Sequence, residues 1–298
     1  MSKLSRVSCH AVHELGEAAR EALARELFGV HVQIFGGLDF AGFRHYVIDR
    51  PSWRTWIWVK RNEQGKPVGY HATHVFLLDV QGRPSAVVRM EAGTLPQWRG
   101  RDLIMVNNCL RLLRLWLQAP RRDWCIFAAL THPSSYTFLS HYAPVIWPRA
   151  DQPTPPEVQR QMEELADAFG LERVDPADPM VREVKWITRE TEQDRARWHA
   201  SRRPNARLYL RANPGYVRGH GLLTLIPMNG AILLRAAANF LVGRAGRLAR
   251  ILAGQSAKPA ADPTPASQPA ATQSPPPVRL TPAHASDFAP VDFPASRH

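Results

Sequence analysis

The sequence predicts an α+β fold, built on a mixed and mostly antiparallel sheet that is flanked by helices. The first observation is a run of three aromatic and β-branched segments, Thr55–Asn62, Pro67–Val80 and Ser85–Thr94, separated by short turns. Short connections of this kind predict antiparallel pairing. The second is a strongly apolar segment, Leu103–Leu117, which precedes a short apolar run, Trp124–Leu130. Strand, helix and strand in this order predict a βαβ unit whose two strands lie parallel.

The remaining segments carry weaker patterns of the same kinds. They are a helix at Val12–Phe28 ended by Gly29, a loop and helix at His132–Tyr142, an acidic helix at Glu157–Phe169, a strand and Gly-rich loop at Arg207–Gly230, and a basic helix at Ala231–Leu252.

Composition divides the chain into three predicted parts. Residues 1–150 hold the strand-rich segments, residues 151–254 form an extension, and residues 255–298 are so rich in Pro and Ala that we expect a disordered tail. Of 298 residues, 45% are apolar, which is enough for a sizeable core. Three cysteines and the lack of an apolar leader followed by a cleavage site predict a cytoplasmic protein.

The charge balance indicates an acidic partner. Lys and Arg exceed Asp and Glu by 12, and the charges of the tail cancel, so the excess belongs to the folded part. Nucleic acid, an anionic membrane, a phosphate-bearing cofactor or an acidic protein would each be attracted. Nucleic acid ranks last, because no motif typical of such binders occurs.

The loop after the third strand is the most informative segment. Leu95–Arg101 contains two arginines and a glycine and leads into a helix, for which Asp102 is placed as N-cap. Backbone N–H groups at a helix start, flanked by Arg99 and Arg101, would suit a pyrophosphate. The alternative is a strand-to-helix turn whose arginines are simply solvated.

Here the chain resembles the GNAT acyltransferase superfamily. The resemblance covers Val12–Trp147 and rests on the strand order, on AGTLPQWRGRDL, and on FAALTHPSSYTFLSHY. It implies that the loop with Arg99, Gly100 and Arg101 binds the pyrophosphate of an acyl-CoA, while the backbone of Thr94 and Leu95 contacts the thioester arm. It also implies that the next strand splays away to admit that arm.

Two positions depart from the family pattern. Asp102 and Ile104 stand where the family mostly has glycine, which lets the backbone approach the phosphates. A donor with one phosphate, the acyl-4′-phosphopantetheine of an acyl carrier protein, is therefore an alternative to acyl-CoA. The basic charge of the folded part would complement the acidic surface of such a carrier.

The resemblance also proposes catalytic residues for transfer to an amine. Glu91 lies where a base can reside, or it is a solvent-facing strand residue. His132 stands at the mouth of the splayed strands as a base, or it holds the loop through hydrogen bonds. Tyr142 and Tyr136 are the acids available to the leaving thiolate, although a helical tyrosine is more often packing.

No metal site is predicted. His71 and His74 are three apart on a strand and point to opposite faces, while Cys9, His10 and His13 fall in an N-terminal segment that we expect to be frayed. Cys109 and Cys125 lie in apolar runs typical of core cysteines.

The sequence thus predicts an N-acyltransferase with a small-molecule amine acceptor. The alternative is a non-catalytic interaction protein on a degenerate GNAT scaffold, docking to an anionic membrane or an acidic partner. Residues 231–252 could make such a peripheral contact, or could cover a face of the sheet.

Overall fold

The computed structural model describes residues 6–99 and 103–252. Ten strands and eight α-helices lie in this part of the chain. The strands are β1 (Arg6–Ala11), β2 (Phe35–Gly36), β3 (Arg54–Arg61), β4 (Pro67–Val80), β5 (Arg83–Thr94), β6 (Asp123–Leu130), β7 (Arg173–Asp175), β8 (Asp178–Glu183), β9 (Ile187–Thr188) and β10 (His220–Met228). The helices are α1 (Glu17–Ile34), α2 (Phe40–Val47), α3 (Ile104–Gln118), α4 (Pro133–Tyr142), α5 (Pro156–Ala168), α6 (Glu192–His199), α7 (Pro204–Ala212) and α8 (Gly230–Leu252).

Eight of the strands form one sheet, in the order β1-β3-β4-β5-β6-β10-β8-β7. The predicted meander is confirmed, since β3, β4 and β5 pair antiparallel through short turns. The predicted βαβ unit is confirmed as well, because β5 and β6 pair in parallel with α3 between them along the chain. The protein therefore has the mixed, mostly antiparallel α+β sheet that the GNAT resemblance implies.

Helices cover both faces of this sheet. On one face, α1 and α2 pack on Ile57 and Ala72, and α5 packs on Val87. On the other face, α3 and α8 pack on Val88 and Trp124. Since neighbouring residues of a strand point to opposite faces, consecutive residues of β5 serve different layers. This alternation decides where each candidate site residue lies.

The N-terminal segment corrects two expectations. Residues 6–11 are not frayed but form β1, which pairs along β3 and places Cys9 opposite Trp58. The first helix runs from Glu17 to Ile34 and passes through Gly29, because Val30 and Ile34 bury their side chains in the same core as the earlier turns. Packing of an apolar face outweighs the cost of about 1 kcal/mol for one helical glycine.

The extension adds strands to the same sheet. β10 pairs antiparallel with β6 from Leu222 to Met228, and β8 and β7 follow outward. Arg207–Ala212 is helical rather than the predicted strand, since Pro204 occupies the first turn of α7, where a fixed φ favours helix. The boundary at residue 150 stays a prediction, and the predicted tail lies outside the described residues.

Candidate active site

The site begins where two parallel strands separate. Ser85–Val88 of β5 pair with Asp123–Ile126 of β6, and the pairing ends there, although β5 continues to Thr94 and β6 to Leu130. Beyond Val88, β5 keeps its pairing with β4 but has none with β6. The two strands therefore leave a gap through the sheet at their C-terminal ends, with Met90 lining one face and Glu91 turned to the other.

Glu91 contacts a buried histidine of the neighbouring strand. In the β4–β5 register, His74 lies opposite Arg89, and Ala72 lies opposite Glu91, so His74 and Glu91 are diagonal neighbours on one face. Glu91 Oε2 lies 3.0 Å from Nε2 of His74, whose side chain is fully buried. The expectation of a solvent-facing residue does not hold, because only 10% of the Glu91 side chain is exposed.

Two arginines complete the charge balance around Glu91. Burial by itself raises the pKa of Glu91, but the positive charges of His74, Arg89 and Arg50 outweigh it and bring the pKa to about 2. Arg89 is buried against the ring of Phe169, with 4.6 Å from its guanidinium carbon to the ring centroid. Burial, aided by the charge of Arg50, lowers the pKa of Arg89 to about 10. Glu91 is thus ionised at neutral pH and held in a cationic setting.

His74 continues this cluster toward the edge of the sheet. Its Nδ1 lies 2.8 Å from Oγ1 of Thr55, and that hydroxyl lies 2.6 Å from Oγ of Ser52. The hydroxyls of Thr55 and Ser52 can each donate or accept, and the tautomer of the His74 ring decides which they do. The ring of His74 therefore contacts a hydroxyl at Nδ1 and the carboxylate of Glu91 at Nε2.

On the other face of the sheet lies a narrow cleft with almost wholly apolar walls. It is bounded by α3, α4, α8 and the sheet. Met90 and Ile126 line it at the end of the paired region, and Tyr142 closes one side. Besides Tyr142, a polar residue of its wall is Asn108, which is buried and accepts hydrogen bonds from Trp56 and Thr73. The chemistry of these walls therefore suits an apolar group rather than a charged one.

Tyr142 is a cleft residue. It is 9% exposed, and its ring centroid lies 5.2 Å from that of Phe240 on α8. Its carbonyl accepts a hydrogen bond from the Asn239 side chain. Glu91 and Tyr142 thus lie on opposite faces of the sheet. Tyr136 is fully buried, and its hydroxyl donates to the carbonyl of Pro148.

His132 is the N-cap of α4. Its Nδ1 accepts a hydrogen bond from the backbone N–H of Ser134, so the neutral ring carries its proton on Nε2. That nitrogen lies 3.1 Å from Oε2 of Glu190, a buried carboxylate. Burial raises the pKa of Glu190, but hydrogen bonds from His132, Tyr216 and Arg195 keep it below its ordinary value. The geometry favours the reading in which His132 holds the loop.

The predicted donor loop is described in part. Pro96–Trp98 form a 3₁₀ turn, and the side chain of Arg99 donates to the carbonyl of Thr94. Leu95 N–H donates to the carbonyl of Val68, so the two backbone groups expected to meet a thioester already have protein partners. Gly100, Arg101 and Asp102 lie outside the described residues. The N-cap position of α3 is Leu103 rather than Asp102.

His74, Arg89 and Glu190 were not among the predicted site residues. A signal for the first two exists in the sequence, because the two-residue turn at Gln81-Gly82 fixes the β4–β5 register and sets His74 opposite Arg89. Glu190 carries no such signal, since it approaches His132 from 58 residues further along the chain. No cluster that could hold a metal ion occurs within residues 6–99 and 103–252.

Comparison with known proteins gives distant structural likenesses. No family model and no curated protein matches the chain. The chain is similar to a conserved Enterococcus faecalis protein described as a probable N-acyltransferase, at 11% identity and a TM-score of 0.31, over 47% of this chain and 32% of that one. It is similar to an aminoglycoside 6′-N-acetyltransferase from Acinetobacter baumannii, at 11% identity and a TM-score of 0.31, over 45% and 88% of the two chains. It is also similar to a spermidine N-acetyltransferase from Vibrio cholerae, at 10% identity and a TM-score of 0.27, over 45% and 76%. Likeness at this level identifies neither a substrate nor a donor.

Proposed function

We propose that this chain is an N-acyltransferase that moves an acyl group from a thioester to an amine. The observation that carries the proposal is the gap between β5 and β6, which has an apolar cleft on one face and an ionised carboxylate on the other. A thioester in the gap would place its acyl chain against the cleft walls. An amine arriving from the side of Glu91 would meet the carbonyl carbon.

In the proposed reaction, the amine nitrogen attacks the thioester carbon, and the C–N bond forms as the C–S bond breaks. The charge of Glu91 attracts the ammonium form of the acceptor, which loses one proton to water and attacks as the neutral amine. Glu91 then receives the second proton, which bond formation makes acidic. Its low pKa makes Glu91 a weak base, so electrostatic orientation of the acceptor is its larger part. Tyr142 donates a proton to the departing thiolate from the cleft side, and His132 keeps the start of α4 in place.

The donor is acyl-CoA or the acyl-phosphopantetheine of a carrier protein. Its phosphate is assigned to the loop of Arg99, Gly100 and Arg101 and to the N-terminal end of α3, where the helix dipole favours an anion. The net charge of +12 supports the choice of a carrier protein, since a basic enzyme attracts an acidic carrier. The alternative function is an interaction protein that keeps the scaffold and binds no thioester.

The reaction is tested by measuring the release of free thiol from three donors: acetyl-CoA, a long-chain acyl-CoA and an acyl carrier protein. Each donor is assayed in the presence of amines of differing charge. Glu91→Gln removes the carboxylate charge and is expected to raise KM for cationic amines and to lower the rate by less than the roughly 10²–10⁴-fold typical of a lost acid–base group. Folded protein that releases no thiol from any donor would favour the interaction protein.

A second pair of variants tests the cleft. Ala236 lines the cleft on α8, and Ala245 is exposed on the same helix. Ala236→Leu fills the space assigned to the acyl chain and should shift the donor preference to shorter chains. Ala245→Leu adds the same volume outside the cleft and should leave the preference unchanged. Equal effects of both changes would contradict the assigned acyl position.

A further inference from the structure

The helices on the cleft face contain no carboxylate. α3, α4 and α8 together have no Asp or Glu, whereas α1 and α5 on the opposite face hold Glu17, Glu21, Glu26, Glu157, Glu163, Glu164 and Asp167. The three helices carry six arginines, which are Arg111, Arg114, Arg235, Arg244, Arg247 and Arg250. These three helices therefore carry cationic side chains and no acidic ones, in contrast to α1 and α5.

The outer side of the same two helices is apolar. Leu103, Leu110 and Leu117 are seven residues apart on and beside α3, and all three are exposed, Leu117 by 63%. On α8, Leu234, Leu241 and Val242 are exposed in the same way, Val242 by 72%. The inner side of α8 is separately buried through Leu233, Ala237 and Phe240. A helix that is apolar on both sides needs a second apolar neighbour.

Beside Leu110, between α3 and Trp58 of β3, lies a depression suited to a phosphate group. Trp58, Asn107, Leu110, Arg111 and Arg114 line it. The guanidinium of Arg111 lies 5.8 Å from the ring centroid of Trp58. Neither arginine has a carboxylate partner within residues 6–99 and 103–252. Arginine, tryptophan and exposed leucine together are typical of a surface that meets lipid headgroups and the acyl region below them.

We propose that the outer face of α3 and α8 docks on a bilayer containing anionic phospholipid. We name this face the basic face and define it by Leu110, Arg111, Arg114 and Leu117 of α3 with Leu234, Arg235, Leu241 and Val242 of α8. Its arginines contact headgroup phosphates, and its leucines enter the interfacial region. Within residues 6–99 and 103–252, none of the helices has the length and hydropathy of a membrane span. This proposal does not depend on the acyl-transfer activity.

A lipid surface suits the basic face better than the other acidic partners. Nucleic-acid surfaces are met by polar and aromatic side chains, and six exposed aliphatic residues would gain nothing from phosphates and sugars. An acidic protein would pair with the arginines but would leave the widely spaced leucines of two helices to be covered by a matching apolar surface. A bilayer satisfies both groups at once.

Sedimentation of the full-length protein with vesicles tests the proposal. We expect binding to vesicles of phosphatidylcholine with phosphatidylserine and little binding to pure phosphatidylcholine. Arg111→Gln/Arg114→Gln should weaken partitioning about fivefold per arginine, or about 25-fold in all. The reason is that each basic side chain near an anionic membrane surface contributes about 1 kcal/mol, which corresponds to about fivefold. Leu117→Gln/Val242→Gln should weaken it too, without changing its dependence on salt.

The matched control removes two arginines from the opposite face. Arg25 of α1 and Arg160 of α5 are both exposed, and Arg25→Gln/Arg160→Gln changes the net charge by the same amount. This control should bind vesicles as the unaltered protein does. The proposal would be overturned if both arginine pairs lost binding equally, or if the protein showed no preference for anionic lipid. It would also be overturned if the protein did not bind vesicles while the Arg111 and Arg114 changes abolished binding to duplex DNA or to an acyl carrier protein.

Discussion

Glu91→Gln should destabilise the protein through the buried pair with His74. The pKa of Glu91 falls from 4.5 to about 2 in the folded chain. At about 1.4 kcal/mol for each pKa unit, the ionised carboxylate contributes on the order of 3 kcal/mol to the free energy of unfolding at neutral pH. Removing one partner of a buried ion pair is expected to cost about 3–5 kcal/mol, which is the same range.

The contribution of Glu91 to the free energy of unfolding depends on pH. Because the folded pKa is below the unfolded value, the contribution of Glu91 is fully present above about pH 4.5 and is lost as the pH falls toward 2. Urea unfolding followed by circular dichroism should therefore show a large difference between the two proteins at pH 7. The difference should shrink as the pH falls below 4.5.

The control for this prediction is Glu172→Gln, which changes an exposed carboxylate and should alter the unfolding free energy little. If Glu91→Gln were as stable as the unaltered protein at pH 7, the ion pair with His74 would contribute nothing. If the difference persisted unchanged to pH 2, the loss would come from packing rather than from charge.

Three further predictions concern the frame around the site. Asn108→Ala leaves the indole N–H of Trp56 and the hydroxyl of Thr73 without their acceptor, and should lower the unfolding free energy by about 3 kcal/mol in urea titrations; a loss under about 1 kcal/mol would mean that water replaces the amide. Gly37→Ala puts a methyl group 1.8 Å from the carbonyl oxygen of Lys185 at a φ of +97°, and should prevent stable folding, whereas Gly65→Ala, at +78° with open space around it, should lower the melting temperature only slightly; equal effects would contradict the contact. His132→Ala removes the cap of α4 and should lower the unfolding free energy by about 1 kcal/mol or more. His132→Asn restores a capping side chain and should recover most of the stability, but not the hydrogen bond to Glu190. If the Asn variant recovered stability but not activity, His132 would have a role in the chemistry besides its role as a cap.

The sequence predicts the local part of the fold well. Short turns at Gly65 and Gly82 fix the register of β3, β4 and β5, and the apolar run of α3 demands a parallel β6 beside β5. β1 escapes prediction, because Arg6–Ala11 becomes a strand only by pairing with the edge of β3. α7 is misread as a strand, since its leucines alternate and the helix-favouring effect of Pro204 lies just before them.

In the candidate site, too, local contacts can be predicted from the sequence and contacts between distant segments cannot. Glu91 can be placed on its strand from the sequence, and its partner His74 follows from the hairpin register. The cap made by His132 can be read from its position before Pro133, but its contact with Glu190 cannot, because that contact joins distant parts of the chain. Tyr142 becomes a cleft residue only once α8 packs against α4.

Isothermal titration with thioesters tests the central claim most directly. The full-length protein would be titrated with acetyl-CoA, a long-chain acyl-CoA and an acyl carrier protein, and the titrations repeated with Arg99→Ala/Arg101→Ala. Saturable binding of at least one donor, weakened in the double variant while the fold is kept, is the predicted result. Folded protein that binds none of the three would contradict the account, and the gap between β5 and β6 would then belong to a scaffold without a donor.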